Sequence, residues 1–169
     1  MKKLSHKFKK KPKKKSIQSV WDAENIFYQE TNISRIGKLI SQYEIYNKIK
    51  ELPGDILEFG VFKGSSLIRF MTFRSLLENN FSRKIYGFDT FKKFPTQVRK
   101  SDIKFKEAFE KEAGDPISKS KLEKILFNKK FENFELIEGD VTKTLSIFLK
   151  ENQNLRISIL HLDMDVFNA

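Results

Sequence analysis

The sequence contains no cysteine and only two histidines, His6 and His161. The lack of cysteine excludes disulfide bonds, thiolate nucleophiles and Cys-ligated zinc, and it agrees with a cytoplasmic protein. A Ser-His-Asp triad or a His-rich metal site is also disfavoured, because each needs an imidazole placed beside its partners. These absences remove most cysteine- and histidine-based chemistry from consideration.

Long apolar runs are absent as well. No uninterrupted stretch reaches the roughly 18 residues that a transmembrane helix needs, and no signal-peptide-like segment follows the basic start. Hydrophobic residues still make up 39% of the chain and include 17 Phe, which excludes a wholly disordered protein. We therefore expect a soluble, cytoplasmic protein with a single fold in 169 residues.

The net charge of +11 belongs mainly to one end of the chain. Residues 1–15 contain nine Lys and no acid, and the remainder has 24 basic against 22 acidic residues. This composition predicts a disordered basic tail over residues 1–19 and one domain over residues 20–169. The tail is either a solvated arm or an electrostatic attachment to RNA, anionic lipid or an acidic polysaccharide. Nucleic acid is disfavoured because no base-stacking motif accompanies the charge.

Strand and helix patterns alternate along the rest of the chain. Helical spacing of apolar residues predicts a helix over residues 36–49, before Pro53-Gly54. Short apolar runs predict strands over residues 56–59, 84–88, 134–137 and 156–162. Helices are predicted after Gly64, over residues 141–150, and within the charged residues 100–130, which we assign to a lid and a crossover helix. This order predicts an α/β fold, a Rossmann-like parallel sheet with helices on both faces.

The carboxyl ends of parallel strands meet at one edge of the sheet, where ligands of such folds bind. The residues expected at that edge are Glu58, Gly60, Asp89, Asp140, Asp163 and Asp165. The turn Gly60-x-x-x-Gly64 permits close backbone approach, but it matches neither the dinucleotide fingerprint nor a P-loop. Asp89 is placed either to bind a ribose or to cap a turn. Asp140 is placed either beside an adenine or as the cap of the next helix.

Four sequence blocks resemble the macrocin O-methyltransferase family in order and spacing: PGDILEFGVFKGSS, IYGFDTFKKFP, IEGDVTKTL and ISILHLDMDVF. The resemblance covers residues 33–167. It implies a class I methyltransferase fold, S-adenosylmethionine as cofactor, and a sugar hydroxyl of a glycoside or polysaccharide as acceptor. The cofactor-binding residues that it implies are Glu58, Gly60 and Gly64 at the methionine part, Ser65 and Ser66 at the carboxylate, Asp89 at the ribose and Asp140 at the adenine.

The resemblance assigns the chemistry to the last block. Asp163 is similar to a family metal ligand, with Mg²⁺ as the expected ion, and to a catalytic base, while Asp165 is the weaker catalytic candidate. A sugar hydroxyl has a pKa far above 7, so a carboxylate must take its proton, and a hard cation would lower that pKa. Members of the family continue further and complete the metal site with a later acidic pair. We therefore expect missing C-terminal strands, an incomplete metal site, and a completing chain or homo-oligomer.

Two functions remain open from the sequence. The first is an S-adenosylmethionine-dependent O-methyltransferase acting on a sugar hydroxyl. The second is a truncated, noncatalytic module that keeps cofactor binding or only the fold and holds an anionic partner with its Lys-rich arm. A methyltransferase acting on RNA ranks last, because only the tail suggests it.

Overall fold

The computed structural model describes residues 19–94 and 98–165. Most of the predicted basic tail, residues 1–18, lies outside these ranges, so the division into tail and domain stays a prediction. In chain order the elements are α1 (Val20–Glu30), α2 (Ile33–Ile49), β1 (Asp55–Phe59), α3 (Ser65–Leu77), β2 (Ile85–Asp89), α4 (Ile103–Ala113), α5 (Lys119–Asn128), β3 (Phe134–Glu138), α6 (Val141–Glu151) and β4 (Ile157–Leu162). All the strands predicted from sequence are present, with bounds that differ by no more than one residue.

The chain divides into two compact units, residues 1–37 and 38–169. The described part of the first unit contains α1, which begins where the Ser19 hydroxyl accepts a hydrogen bond from the Asp22 backbone N–H. None of the eleven residues of α1 is buried, and Trp21 is 76% exposed. The sequence patterns above did not predict this helix, although Ser followed three residues later by Asp is a helix-start signal.

The second unit is built on a parallel sheet with the strand order β3-β2-β1-β4. The chain adds β2 and then β3 on one side of β1, and it returns to place β4 on the other side. Strand order therefore reverses at β1, and ligands of open α/β sheets bind in the crevice outside the carboxyl ends at such a point. The predicted Rossmann-like α/β fold is confirmed.

Helices cover both faces of the sheet. Successive side chains of a strand point to opposite faces, so each face has its own apolar side chains for a helix to cover. On one face the strand residues Ile56, Ile85 and Ile159 pack with Tyr46, Leu67, Phe70, Leu122 and Leu126 from α2, α3 and α5. On the other face Leu57, Phe59, Tyr86 and Phe88 pack with Phe148 of α6. Two apolar cores, one on each face, thus hold the sheet rigid behind the loops at its carboxyl edge.

Buried arginines fasten the opposite, amino-terminal edge of the sheet. The Arg83 guanidinium pairs with the Glu78 carboxylate at 2.8 Å and donates to the carbonyls of Gly54 at 3.0 Å and Ile49 at 3.2 Å. Arg74 is fully buried at the end of α3 and donates to the carbonyl of Arg83 at 2.7 Å. A guanidinium has several fixed donors, so one side chain satisfies several loop carbonyls at once. These contacts join the loops that enter β1 and β2.

Candidate active site

A cleft of about 780 Å³, including its open mouth, lies at the carboxyl edge of the sheet. The loops that follow all four strands contribute to it, and so does α4 with the turn after it. Its lining residues are Gly60, Phe62, Phe88, Asp89, Thr90, Lys92, Lys93, Phe94, Phe109, Glu110, Gly114, Asp115, Pro116, Gly139, Val141, Asp163, Met164 and Asp165. The topology therefore brings the loop after β1, the acid ending β2 and the acids after β4 to one concave site.

The glycine loop after β1 packs directly against the end of β4. Gly60 has φ +90°, and a Cβ there would lie 2.4 Å from the Asp163 carbonyl oxygen. Gly64, with φ +79°, precedes α3, and a Cβ there would lie 2.6 Å from Leu122 Cδ1. Both positions need glycine for its backbone conformation and for the space it leaves. Gly60 lines the cleft, whereas Gly64 packs against α5 outside the lining.

Asp89 ends β2, lines the cleft and organises the glycine loop. Its Oδ2 accepts hydrogen bonds from the backbone N–H groups of Val61 and Phe62, each at 2.8 Å. Its Oδ1 accepts one from the Phe91 N–H at 2.7 Å. The turn-capping alternative for Asp89 is thus observed. Each carboxylate oxygen can accept more than one hydrogen bond, so Oδ1 keeps acceptor capacity for a further donor. Binding of a ribose by Asp89 stays a prediction.

Asp140 caps α6. Its Oδ1 accepts hydrogen bonds from the Thr142 N–H at 2.9 Å and the Thr142 hydroxyl at 2.6 Å, and these bonds lower the pKa of Asp140. The neighbours of Asp140 in sequence, Gly139 and Val141, line the cleft, but Asp140 is outside the lining. The helix-capping role considered for Asp140 is therefore observed, and its contact with an adenine stays a prediction.

Glu58 and Ser66 form a buried pair beneath the glycine loop. The Ser66 hydroxyl donates a short hydrogen bond to Glu58 Oε1, which His161 Nδ1 also approaches at 3.2 Å. Glu58 Oε2 is buried with no hydrogen-bond partner among the described residues. Burial raises the pKa of Glu58, with the charge of Asp163 adding to the rise and the contacts to His161 and Ser66 opposing it. Ser65 is exposed at the start of α3. Glu58, Ser65 and Ser66 lie outside the cleft lining, and their cofactor contacts stay predictions.

Asp163 and Asp165 follow β4 and both line the cleft. Lys38 Nζ donates to Asp163 Oδ2 at 2.7 Å, which forms an ion pair between α2 and the end of β4. Partial desolvation raises the pKa of Asp165, and the negative charge of Asp163 raises it further, while Lys38 opposes the rise. The structure thus brings both predicted catalytic acids to the same end of the cleft.

The predicted metal site is not supported by the residues that the structure describes. Within residues 19–94 and 98–165, no group of three or more His, Asp or Glu side chains could hold a metal ion. Mg²⁺ requires a near-octahedral set of oxygen ligands. Asp163, the predicted ligand, shares the cleft with Asp165 and is already paired with Lys38, while the Asp89 carboxylate accepts hydrogen bonds from backbone N–H groups. This donor set does not fit a bound Mg²⁺.

Two features of the site were not predicted from sequence. One is the pairing of Lys38 with Asp163, which lies 125 positions away in the chain. The other is a wall of phenylalanines in which Phe109 of α4 contacts Phe62 of the glycine loop and Phe94 after β2, with ring centroids 5.2 and 5.6 Å apart. The 17 Phe in the sequence indicate aromatic packing, but they do not indicate where in the fold it occurs.

Comparison with known proteins identifies the family. A sequence model of the macrocin O-methyltransferase family (TylF) matches residues 5–169. The chain belongs to this family. The resemblance inferred from the four sequence blocks is confirmed by this match. A search of curated proteins found no match.

Solved structures of other methyltransferases share the fold. CalS11, described as a calicheamicin methyltransferase, is 25% identical with a TM-score of 0.59, over 90% of this chain and 63% of that one. An apo structure of CalS11, described as a TDP-rhamnose 3'-O-methyltransferase of calicheamicin biosynthesis, is 26% identical with a TM-score of 0.57, over 88% of this chain and 60% of that one. The O-methyltransferase NovP is 17% identical with a TM-score of 0.59, over 75% of this chain and 52% of that one.

This member of the macrocin O-methyltransferase family thus spans between about half and two thirds of the length of those solved chains. The four-stranded parallel α/β sheet matches the fold of these methyltransferases. Among the residues that the structure describes, no helix is long and apolar enough to cross a membrane.

Proposed function

We propose that this chain supplies the S-adenosylmethionine site and the catalytic strand end of an O-methyltransferase that acts on a sugar hydroxyl. The observation that supports the proposal most is the position of Gly60, Asp89, Asp163 and Asp165 around one cleft in a member of the macrocin O-methyltransferase family. The family and the fold imply S-adenosylmethionine as the methyl donor. Because the chain covers under two thirds of its solved relatives, the activity of the whole protein is part of the proposal.

The chemistry of the cleft fits S-adenosylmethionine. Asp89 Oδ1 retains acceptor capacity for a ribose hydroxyl, and the apolar lining includes Phe88 and Val141, against which an adenine can pack. The first turn of α3 lies outside the cleft lining but directly follows the glycine loop, and it offers backbone N–H groups and the positive end of the helix dipole to a carboxylate. We therefore place the methionine part of the cofactor near Gly60 and its adenosine between the ends of β2 and β3.

When bound, S-adenosylmethionine supplies an electrophilic methyl group on a positively charged sulfur. The protein then has to hold the acceptor oxygen in line with the methyl–sulfur bond and to remove the hydroxyl proton. Asp163 and Asp165 are the proposed proton acceptors, because both carboxylates line the cleft beside the glycine loop. Methyl transfer by this route needs no covalent enzyme intermediate. Metal assistance has no support in the described donor set, and the proposed route has no step through a cation.

The acceptor class follows from the family and its relatives. A sugar hydroxyl in a glycoside, a polysaccharide or a nucleotide-linked sugar is the proposed acceptor. The description of CalS11 as a TDP-rhamnose methyltransferase makes a nucleotide-linked sugar the first compound to test.

The proposal is tested first by calorimetric titration of the purified chain with S-adenosylmethionine. We expect a dissociation constant in the micromolar range, about 8 kcal/mol of binding free energy. Asp89→Asn should weaken binding at least about tenfold, because removing the charge weakens the hydrogen bonds that shape the glycine loop. Glu44→Gln, at an exposed acid of α2, is the matched control and should leave the affinity unchanged.

Transfer of a labelled methyl group to TDP-rhamnose then tests the reaction. Loss of transfer in Asp163→Asn or Asp165→Asn, measured at saturating S-adenosylmethionine, would support the assigned role of the acids. Binding without transfer to any sugar acceptor would favour the noncatalytic alternative. A folded chain that does not bind S-adenosylmethionine would refute the proposed function.

A further inference from the structure

Lys38 is not a lining residue of the cleft and belongs to none of the four sequence blocks, but it pairs with Asp163, which lines the cleft. Its ammonium is 2.7 Å from Asp163 Oδ2, and the two side chains are 40% and 36% exposed. An isolated surface ion pair with that exposure would contribute little to folding stability. The significance of Lys38 therefore depends on how firmly its surroundings hold the pair and on which charges face the cleft.

The surroundings hold the pair firmly. Lys38 and Gln42 are one turn apart on α2, while Asp163 and His161 are two residues apart at the end of β4. Gln42 Nε2 lies 3.4 Å from His161 Nε2, so the same two elements make a second polar contact beside that of Lys38 with Asp163. α2 and the end of β4 thus meet at two successive polar contacts, Lys38 with Asp163 and Gln42 with His161.

The direction of the hydrogen bonds shows that this contact is specific. Arg69 can only donate, and its Nη1 lies 3.2 Å from Gln42 Oε1, so the Gln42 amide must turn its NH₂ toward His161. His161 Nε2 is then the acceptor, and Nδ1 carries the proton that is donated to Glu58 Oε1. The network joins α2, α3, β1 and β4, and it leaves little freedom for the end of β4 to shift.

The charged groups near Gly60 are Asp163, Asp165 and Lys38 at the end of β4, the Asp89 carboxylate that binds the N–H groups of Val61 and Phe62, and the buried Glu58. Asp163 and Asp165 both line the cleft, and Lys38 pairs with the first of them. The backbone of Gly60 touches that of Asp163, so a methionine group placed at Gly60 brings its sulfur close to this charge group. The sulfonium of S-adenosylmethionine is positive, whereas the thioether of its product, S-adenosylhomocysteine, is neutral. The relative affinity for the two ligands therefore reports the electrostatic potential at the sulfur.

We propose that Lys38 is a positioning residue that orients Asp163 and neutralises its charge, and so limits how strongly the cleft prefers the sulfonium over the thioether. This inference rests on the proposed function. The positive charge of the sulfonium disperses as the methyl group leaves, so a potential that is too negative would stabilise the bound reactant more than the transition state. Lys38 makes this potential less negative while both carboxylates stay at the cleft.

The experiment measures the affinity ratio, defined as the Kd for S-adenosylhomocysteine divided by the Kd for S-adenosylmethionine, by calorimetry at low salt. Lys38→Met should raise the ratio about three- to tenfold, because it leaves Asp163 uncompensated beside the sulfur. Lys38→Arg should keep the ratio close to that of the wild type. Lys48→Met removes an exposed lysine of the same helix and should also leave the ratio unchanged.

A double variant separates the charge pair from a merely structural contact. Asp163→Asn alone should lower the ratio, and Lys38→Met combined with Asp163→Asn should return it to within about twofold of the wild type, since a neutral pair replaces a neutral pair. An unchanged ratio in Lys38→Met, or an equal rise in Lys48→Met, would overturn the role proposed for Lys38 but would leave the proposed function standing. Failure of the folded wild type to bind either ligand would overturn the proposed function together with this inference.

Discussion

Substitution of Gly60 by alanine tests the contact between the glycine loop and the end of β4. An alanine Cβ at this position would lie 2.4 Å from the Asp163 carbonyl oxygen and 2.8 Å from its carbonyl carbon, so backbone has to move. The φ of +90° adds conformational strain of about 1–2 kcal/mol for a residue with a Cβ. Overpacking against a fixed backbone adds about 1–3 kcal/mol. We expect Gly60→Ala to lower the free energy of unfolding by about 2–5 kcal/mol.

Urea and thermal denaturation followed by circular dichroism measure this loss. For a chain of this size each kcal/mol corresponds to about 2–4 °C in the melting temperature, so a fall of about 10 °C is expected. Gly37→Ala provides a matched control, because Gly37 lies inside α2 and nothing lies within 4 Å of a Cβ built there. Alanine is the better helix former, so that variant should be more stable by up to about 1 kcal/mol. Equal stability of Gly60→Ala and the wild type would refute the reasoning.

Two further predictions concern buried charged groups. Arg83→Met should lower the free energy of unfolding by about 3 kcal/mol, because it leaves the mostly buried Glu78 and several loop carbonyls without their donor; an effect below about 1 kcal/mol in urea denaturation would contradict this. Burial raises the pKa of Glu58, so the stability from its neutral form is present below the unfolded-state pKa and is lost as pH rises through the folded-state pKa. The unfolding free energy of the wild type should therefore fall relative to that of Glu58→Gln, which cannot ionise, as pH rises above about 4, whereas parallel curves would show that folding does not raise the pKa of Glu58.

The sequence predicted the sheet well because its signals are local. Each strand is a short apolar run that ends at an acid or a glycine, and the order of the runs with their helices leaves few topologies. The sequence also assigned Gly60, Asp89, Asp163 and Asp165 to one edge of the sheet, where the structure places them around one cleft. Parallel topology suffices for that result, because it brings the carboxyl ends of all strands together.

The roles of individual side chains at that edge depended on information that no local pattern contains. Glu58 precedes Gly60 by two residues, yet it lies on the face of β1 covered by α3, where it is fully buried beside Ser66. Whether a strand-end acid faces a helix or a cleft is decided by packing between distant elements. The pairing of Lys38 with Asp163 has the same origin, since α2 and β4 lie at opposite ends of the second unit in sequence.

The wall of phenylalanines affects how this site can change over evolutionary time. None of the eleven residues of α4 is buried, and contacts of the Phe109 ring with Phe62 and Phe94 join the helix to the rest of the cleft. Substitutions on the surface of α4 therefore cost little folding stability, since exposed positions tolerate most replacements. The sheet and the glycine loop have no such tolerance. Substitutions can therefore accumulate on α4 while the sheet and the glycine loop stay constant.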